Sequence, residues 1–447
     1  MKYFIPLLLV LFVSCGETTQ TTITSVETEK ISDEDLLTFV QKETFKYFWE
    51  GGEPNSGAAR ERIHPDGVYP LNDKNVVASG GTGFGLMAIL VAIERGFVNR
   101  GEAVERIQKI LNFLSTADRY HGAWGHWIYG KDGKTKAFSK RDDGGDIVET
   151  SYLAQGLLCV RQFFKDGDKT EKELADLADE LWRGIEWNWY RGANKENVIF
   201  WHWSPNFDWQ MNFRIRGYNE CLITYVLAAS SPTHPVPPEV YHEGWAENGN
   251  IASGPQPYNI PLDFKHQAAP KMGGPLFWAH YSFMGLNPHG LIDKYGDYWR
   301  HNINHVLVNR AYCIDNPKNY KGYSEKSWGL TSSYSPTGYV SHKPERDSAV
   351  ISPTAALSSF PYTPQESMEF LRYLYEERKE DLLGPYGFYD AYSPQKNWIA
   401  KKYLAIDQGP IIVMIENYRS GLMWKLFMSS PEVQNGLKKL GFDFKAE

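Results

Sequence analysis

Apolar residues recur at i, i+3 and i+4 spacing along most of the chain, the period of a helix that buries one face. The pattern predicts helices near 33–50, 82–95, 101–118, 147–165, 170–191 and 218–229. Further helices are predicted near 275–285, 290–309, 352–359, 364–380, 409–428 and 431–441. No region alternates apolar and polar residues over several successive strands, although short hairpins fit around Ile128 to Phe138. That count of helices, with no strand-rich half, predicts an all-α fold. The expected architecture is an (α/α)6 toroid of six helical hairpins with long aromatic-rich loops. A superhelical repeat array is the rival, but no fixed-period self-similarity supports it. One stretch breaks the pattern: Ser231 to Lys271 holds eight of the 25 prolines. A structureless segment of this length inside a compact domain is usually functional, and it reads as a cleft-wall loop.

The first residues carry a different signal. Lys2 supplies a positive start, Ile5 to Val13 form an uncharged apolar run, and Ser14 is a small residue before Cys15. The run is too short to span a bilayer, which takes ~20 apolar residues, and it has the layout of an export signal. Leu11-Phe12-Val13-Ser14-Cys15-Gly16 resembles the lipobox of bacterial lipoproteins, with Phe12 in place of the usual leucine. An ordinary cleaved signal with an incidental cysteine is the bland alternative. The expected organisation is a signal peptide over 1–14, lipidated Cys15 with a polar tether over 15–32, and a single catalytic domain over 33–447. Such a protein would be lipid-anchored to a cell-envelope membrane, facing the periplasm or the outer-membrane surface. More than one acyl chain makes such an anchor stable.

Charge and cysteine content remove several classes of function. The formal net charge is -7 and no basic cluster is present, which disfavours nucleic acid as a partner. Cys159, Cys221 and Cys313 lie in apolar helical contexts without a CxxC pair, so buried free thiols are expected rather than disulfides or a zinc site. No cofactor or metal is called for, and a monomer is expected. His301 and His305 share a helix face but lack the glutamate of a His-Glu-x-x-His motif. Aromatic content stands out, with 15 Trp, 27 Tyr and 23 Phe. Many lie in polar loops, as in Trp201-His202-Trp203 with Trp209, and Tyr386 with Tyr389 and Tyr392. Rings in a cleft suit sugars, whose C–H faces stack on them while hydroxyls take polar partners. A polysaccharide or oligosaccharide is therefore the expected substrate.

Four motifs fall just before or at the start of a predicted helix. They are Ser79-Gly80-Gly81-Thr82-Gly83-Phe84-Gly85, the run from Asp142 to Glu149, Arg216-Gly217-Tyr218-Asn219-Glu220, and Ile406-Asp407-Gln408-Gly409-Pro410. In a helical toroid the inner-helix N-termini meet at one rim, so these motifs would converge. The glycine run lacks the Gly-Lys-Ser/Thr ending of a phosphate loop and fits either close backbone packing or a loop approaching a ligand. Asp146 followed by Glu149 reads equally as a capping box or as a pair of site carboxylates. Glu220 reads as a first-turn glutamate favoured by the helix dipole, or as a general acid. The second role needs a raised pKa, through desolvation by rings such as Tyr218, Trp203 and Trp209. Asp407 reads as an N-cap or as a base, with Pro410 suited to the first helical turn. Glu416 reads as an ion-pair partner of Arg419. Two acids on different helices in an aromatic cleft fit glycoside hydrolysis.

At these motifs the chain resembles the bacterial glucoamylase-like lipoproteins of glycoside hydrolase family 144. The resemblance rests on the Ser79–Gly85 run, Glu149-Thr150-Ser151, Gly217-Tyr218-Asn219-Glu220, Ser327-Trp328-Gly329-Leu330 and Asp407-Gln408-Gly409-Pro410. It extends from about Asp33 to the C-terminus. The resemblance implies an (α/α)6 toroid and hydrolysis of β-1,2-glucan, mostly endo-acting and inverting. It implies Glu220 as general acid and Asp407 as base, with Asp146 or Glu149 as alternatives for the base. Asp143, Arg216, Tyr218, Trp203, Trp209, Trp328 and Tyr386 are the expected substrate-binding residues. Rival readings are an exo-acting enzyme releasing sophorose, a lyase acting on uronates, and a non-catalytic glycan-binding lipoprotein.

Overall fold

The computed structural model describes Met1 and residues 31–445; the export segment, Cys15 and nearly all of the tether lie outside the described residues. Helices dominate, in the order α1 (Asp33–Trp49), α2 (Ser79–Glu94), α3 (Arg100–Thr116), α4 (Ile147–Phe164) and α5 (Lys169–Arg183). Then come α6 (Leu222–Ser230), α7 (Tyr298–Asp315), α8 (Pro353–Leu357), α9 (Pro364–Arg372) and α10 (Lys379–Leu382). The chain ends with α11 (Ala405–Arg419), α12 (Leu422–Met428) and α13 (Pro431–Leu440).

Two kinds of helix sort into two rings. Helix α2 is buried from Ser79 to Ala92, and all nine residues of α6 are buried. A helix apolar on every side has no stable place except between other elements, so these form the inner ring. Amphipathic α5 buries Leu174, Ala178 and Trp182 and turns Lys169 and Lys172 to solvent, as an outer helix should. In the inner ring α2 packs on α4, α4 on α6, and α6 on the 3-10 turn Tyr281–Phe283. Helix α11 packs on both α8 and α2. His280 and Ser359, with Nε2 and Oγ 2.9 Å apart, link the turn to the end of α8. The ring is thereby closed, and the expected all-α toroid is the observed fold.

Helices α2 and α4 approach through glycine. A Cβ on Gly83 would sit 2.2 Å from the Tyr152 carbonyl oxygen, and one on Gly156 would sit 2.4 Å from that of Gly83. Both are backbone contacts, which cannot move aside. The Ser79–Gly85 run is thus an inner-helix packing surface rather than a loop before a helix. Helix α2 begins at Ser79, three residues earlier than the periodicity suggests, because the strand Val76–Ala78 delivers the chain directly into it. That strand pairs with Trp127–Tyr129, which pairs in turn with Thr135–Lys136, the hairpin expected near this position.

Several local expectations are corrected. Segment 275–285 forms 3-10 turns rather than an α-helix. Ser231 to Lys271 is not a cleft wall. Its Tyr241, Trp245 and Phe264 pack against Tyr218, Tyr225 and Tyr298, where the segment fills the outer layer. Glu416 pairs with Arg95 at 2.7 Å, while Arg419 reaches back to Glu34, Thr38 and Gln41 on α1. Helix α11 starts at Ala405, so Asp407 is not its N-cap and Pro410 lies inside it. The three described cysteines are free and buried.

Gly83→Ala is expected to destabilise the fold by about 1–3 kcal/mol through overpacking. Denaturant unfolding of the soluble domain measures this, and wild-type stability would contradict the packing role.

Candidate active site

The carboxylates arrive at one rim by three separate local devices. Asp146 is the N-cap of α4, and its Oδ1 accepts from the backbone N–H groups of Val148 (3.0 Å) and Glu149 (2.9 Å). Such a cap is worth about 1 kcal/mol. Glu149 does not complete the capping box. Its Oε2 accepts instead from the N–H of Gly80, at 2.9 Å across the α2–α4 contact. Glu220 stands two residues before α6, in a loop where Gly217 takes a φ of +67° and the Tyr218 ring stacks on His266. Ser282 donates its hydroxyl to the Glu220 carbonyl and fixes that loop.

Glu149 and Glu220 open into one cavity of about 310 Å³. Its polar wall also contains Glu61, Arg62 and His126. The aromatic wall is formed by Trp127, Phe138, Tyr152, Trp201, Phe277, Tyr281, Tyr334 and Tyr339, with Ala78, Leu404 and Ile406 filling the gaps. Rings beside hydrogen-bonding groups are the chemistry a sugar chain requires. Glu61 and Arg62 form an ion pair, and strand Arg62–Ile63 pairs with Tyr403–Leu404 at the entry to α11.

Burial pushes the Glu220 carboxyl up to about 7, and the Glu149 and Asp146 carboxylates add to the shift. Glu149 is likewise raised to about 7 by burial, against the opposing pull of His126. His126 carries the compensating positive charge. Desolvation opposes its protonation, but Glu149, Asp146 and Asp142 outweigh that and raise it to about 9. Burial would raise Asp146 too, yet the hydrogen bond and charge of His126 hold it below the usual carboxylate range. Carboxyls whose surroundings push their protonation in opposite directions, Glu220 and Glu149 up on the cavity wall and Asp146 down beside it, mark a candidate acid–base site.

Asp407 stands behind this wall rather than in it. Its side chain is buried in the first turn of α11, next to the cavity-lining Ile406, and burial together with the neighbouring Asp390 carboxyl pushes its carboxyl well above the usual carboxylate range. The other expected binding residues also lie off the cavity wall. Tyr218 packs on His266 and His301, and Trp328 is buried against Phe370. Tyr386 meets Tyr47 and Tyr403, while Trp203 and Trp209 both border Trp189. Asp143 accepts from Ser204 and Asn206, and Arg216 donates to the Glu243 carbonyl at 3.1 Å. The structure adds Glu61, Arg62, His126, Tyr281, Tyr334 and Asp390, which sequence reading missed. Tyr281 opens a 3-10 turn, and the others lie in loops or short ladders without helical period. The only available signal was the charge run Arg60-Glu61-Arg62.

His126, Asp142 and Asp146 have the residue types and spacing to hold a cation. They also satisfy one another: His126 Nδ1 lies 2.8 Å from Asp146 Oδ2, which accepts from Trp201 Nε1 at 3.1 Å. His202 Nε2 lies 3.3 Å from Asp142 Oδ2. No substrate step needs to pass through this group.

An all-α toroid with acids and rings at one rim defines a carbohydrate-active class of protein. Comparison with known proteins narrows the class. The Glycoamylase family model matches residues 212–431. The endo-β-1,2-glucanase of Chitinophaga pinensis, solved with sophorotriose and glucose, is 58% identical with a TM-score of 0.91. That match covers 93% of this chain and 99% of the other. An exo-β-1,2-glucooligosaccharide sophorohydrolase of Parabacteroides distasonis is 42% identical over 441 residues, covering 95% of this chain. This chain spans 60% of the length of that curated relative. An endo-β-1,2-glucanase of Talaromyces funiculosus, 11% identical with a TM-score of 0.65, shares the fold alone. The chain belongs to the bacterial glucoamylase-like family, glycoside hydrolase family 144.

The His126 value lies above the ordinary 6.5, so between 6.5 and about 9 the folded protein holds more protons than the unfolded one. Its stabilising contribution is complete below that window and lost as pH rises through it. A melting-temperature series across the window should therefore fall more steeply for wild type than for His126→Gln. Parallel curves would count against the charged histidine.

Proposed function

We propose that this protein hydrolyses β-1,2-glucan with inversion, with Glu220 as general acid and Asp407 as the base that activates water. The observation that carries the reading is Glu220. It is a cavity-lining carboxyl raised to about 7 by burial, so a large share keeps a proton at neutral pH for the leaving glycosidic oxygen. The base role for Asp407 is supported by the resemblance at Asp407-Gln408-Gly409-Pro410 and by its place in the first turn of α11, next to the cavity-lining Ile406. Glu149, held by Gly80 and His126, and the cap residue Asp146 are the competing bases. Inversion needs room for a water between acid and base, a separation of roughly 6.5–9.5 Å. Endo action is favoured by the identity to the Chitinophaga pinensis enzyme, which exceeds that to the exo-acting relative.

The substrate reading is tested by incubating the soluble domain with linear glucans of different linkage and sizing the products. A ladder of oligosaccharides from β-1,2-glucan supports endo action, and sophorose alone supports the exo alternative. Binding with no new reducing ends would instead support a glycan-binding lipoprotein. Glu220→Gln and Asp407→Asn are each expected to lower kcat/KM at least about 100-fold while melting like wild type. Full activity in Asp407→Asn would pass the base role to Glu149 or Asp146.

The same reading places the enzyme on a cell-envelope membrane through lipid on Cys15, supported by the Leu11–Gly16 segment. Cys15→Ser should move the protein from the membrane fraction to the soluble fraction of fractionated cells. Retention in the membrane fraction would remove the anchor.

A further inference from the structure

Arg62 is the only Lys or Arg among the described residues lining the cavity, and it forms an ion pair with Glu61, its neighbour in sequence. Arg62 Nη2 donates to Glu61 Oε1 at 3.1 Å and Nε donates to Oε2, so one edge of the guanidinium meets the carboxylate. The Arg62 side chain is 16% exposed and that of Glu61 13%. The ring of Trp127, also on the cavity wall, has its centroid 5.6 Å from Arg62 Cζ, within reach of a cation–π contact. The backbone under the pair is fixed from two directions. The Glu61 N–H donates to the Val76 carbonyl at 2.8 Å, and the Glu61 carbonyl accepts from the Ala405 N–H at 3.0 Å. Arg62 pairs with Leu404 in the ladder that leads into α11.

An ion pair that stabilises a fold joins elements distant in sequence, as Arg95 does with Glu416 and Arg161 with Glu432. Glu61 and Arg62 are consecutive, so their contact closes no loop and ties no two elements together. The ladder makes that connection through the backbone alone. Taking two charges out of water is unfavourable, and here no tertiary link between side chains offsets it. What the pair supplies instead is a donor and an acceptor side by side at the cavity. A guanidinium has five N–H donors and a carboxylate about four acceptor positions. Their mutual contact uses two of each, which leaves the Nη1 edge and further carboxylate lone pairs unclaimed by the pair.

We propose that Arg62 and Glu61 clamp two neighbouring hydroxyls of a glucosyl residue, Arg62 donating to one oxygen and Glu61 accepting from the other, and thereby select the glucan linkage. This rests on the β-1,2-glucan reading above. In a β-1,2-linked chain every internal residue keeps its 3- and 4-hydroxyls free, and these sit on adjacent carbons. In a β-1,3-linked chain the internal residues keep the 2-, 4- and 6-hydroxyls, and no two of those sit on adjacent carbons. The first chain fills both halves of the clamp, whereas the second leaves one half without a partner. A site built to hydrogen-bond a hydroxyl rejects a ligand that lacks it far more strongly than an apolar pocket rejects a change of size. The ladder continues directly into Ala405, the first residue of α11, two positions before Asp407. A sugar held by the clamp is therefore held in register with that helix.

Replacing the pair by apolar side chains, Glu61→Leu with Arg62→Met, removes both charges together and leaves neither unpartnered, a change that buried ion pairs often tolerate. The double variant is expected to melt close to wild type and to raise KM for β-1,2-glucan roughly tenfold or more, with kcat little changed. Calorimetry on Glu220→Gln protein, with and without the double replacement, reads affinity independently of turnover. There a β-1,2-linked oligosaccharide lacking its 4-hydroxyls should bind roughly tenfold more weakly than the native sugar when the pair is present, and equally well when it is absent. No penalty for the deoxy sugar with the pair present, the same penalty without it, or a wild-type KM in the double variant would each overturn the clamp while leaving the hydrolase reading intact. If wild type neither binds nor cleaves β-1,2-glucan, both fall.

Discussion

The site depends on how closely α2 and α4 can approach. Gly83 and Gly156 remove the Cβ atoms that would hold the two backbones apart. The same approach brings the Gly80 N–H to the Glu149 carboxylate. A Cβ on Gly80 would fall 2.4 Å from Glu149 Oε2. The glycines that look like a loop motif in the sequence therefore set the depth of an acid in the cavity. Glycine inside a helix costs roughly 0.5–1 kcal/mol relative to alanine, and here the interhelical contact offsets that cost.

Around that contact the protein concentrates negative charge and supplies few cations. His126 neutralises the group on α4, and Arg62 neutralises Glu61. Glu220 has no basic partner within 4.0 Å among the described residues, and Asp407 has only another acid. Local charge thus sorts the carboxyls. Asp146 is held ionised beside an imidazolium, while Glu220 keeps its proton because burial penalises its anion. A proton donor on the cavity wall and an ionised carboxylate at the adjoining start of α4 can then coexist at the same pH.

The helical period was legible where a helix has one wet face, as in α1, α3 and α5. It also located the inner helices, because runs such as Leu86 to Ile93 are apolar on all sides. Boundaries were less legible where a short strand feeds a helix, as at Val76–Ala78 before α2 and Tyr403–Leu404 before α11. Those strands moved Asp407 from a cap to the first helical turn. Glu149 and Glu220 could be read as site acids because each adjoins a helix start. Glu61, His126 and Asp390 could not, since residues distant in sequence position them and no local period marks such pairings. Aromatic composition was similarly uninformative about position. Trp203 and Trp209 pack on Trp189, and Tyr386 packs on Tyr47 and Tyr403, placements that composition alone does not reveal.

The ladder that sets Glu61 in place joins Arg62 to Leu404, across more than three-quarters of the chain. A contact of such sequence separation is paid for in loop-closure entropy before it returns any enthalpy, and it forms late in folding. A growing or translocating chain that already contains Glu61, Glu149 and Glu220 still lacks the strand and helix that finish the cavity. Assembly of the acid cluster is therefore a property of the complete polypeptide, and hydrolytic competence would appear only when its last quarter has docked.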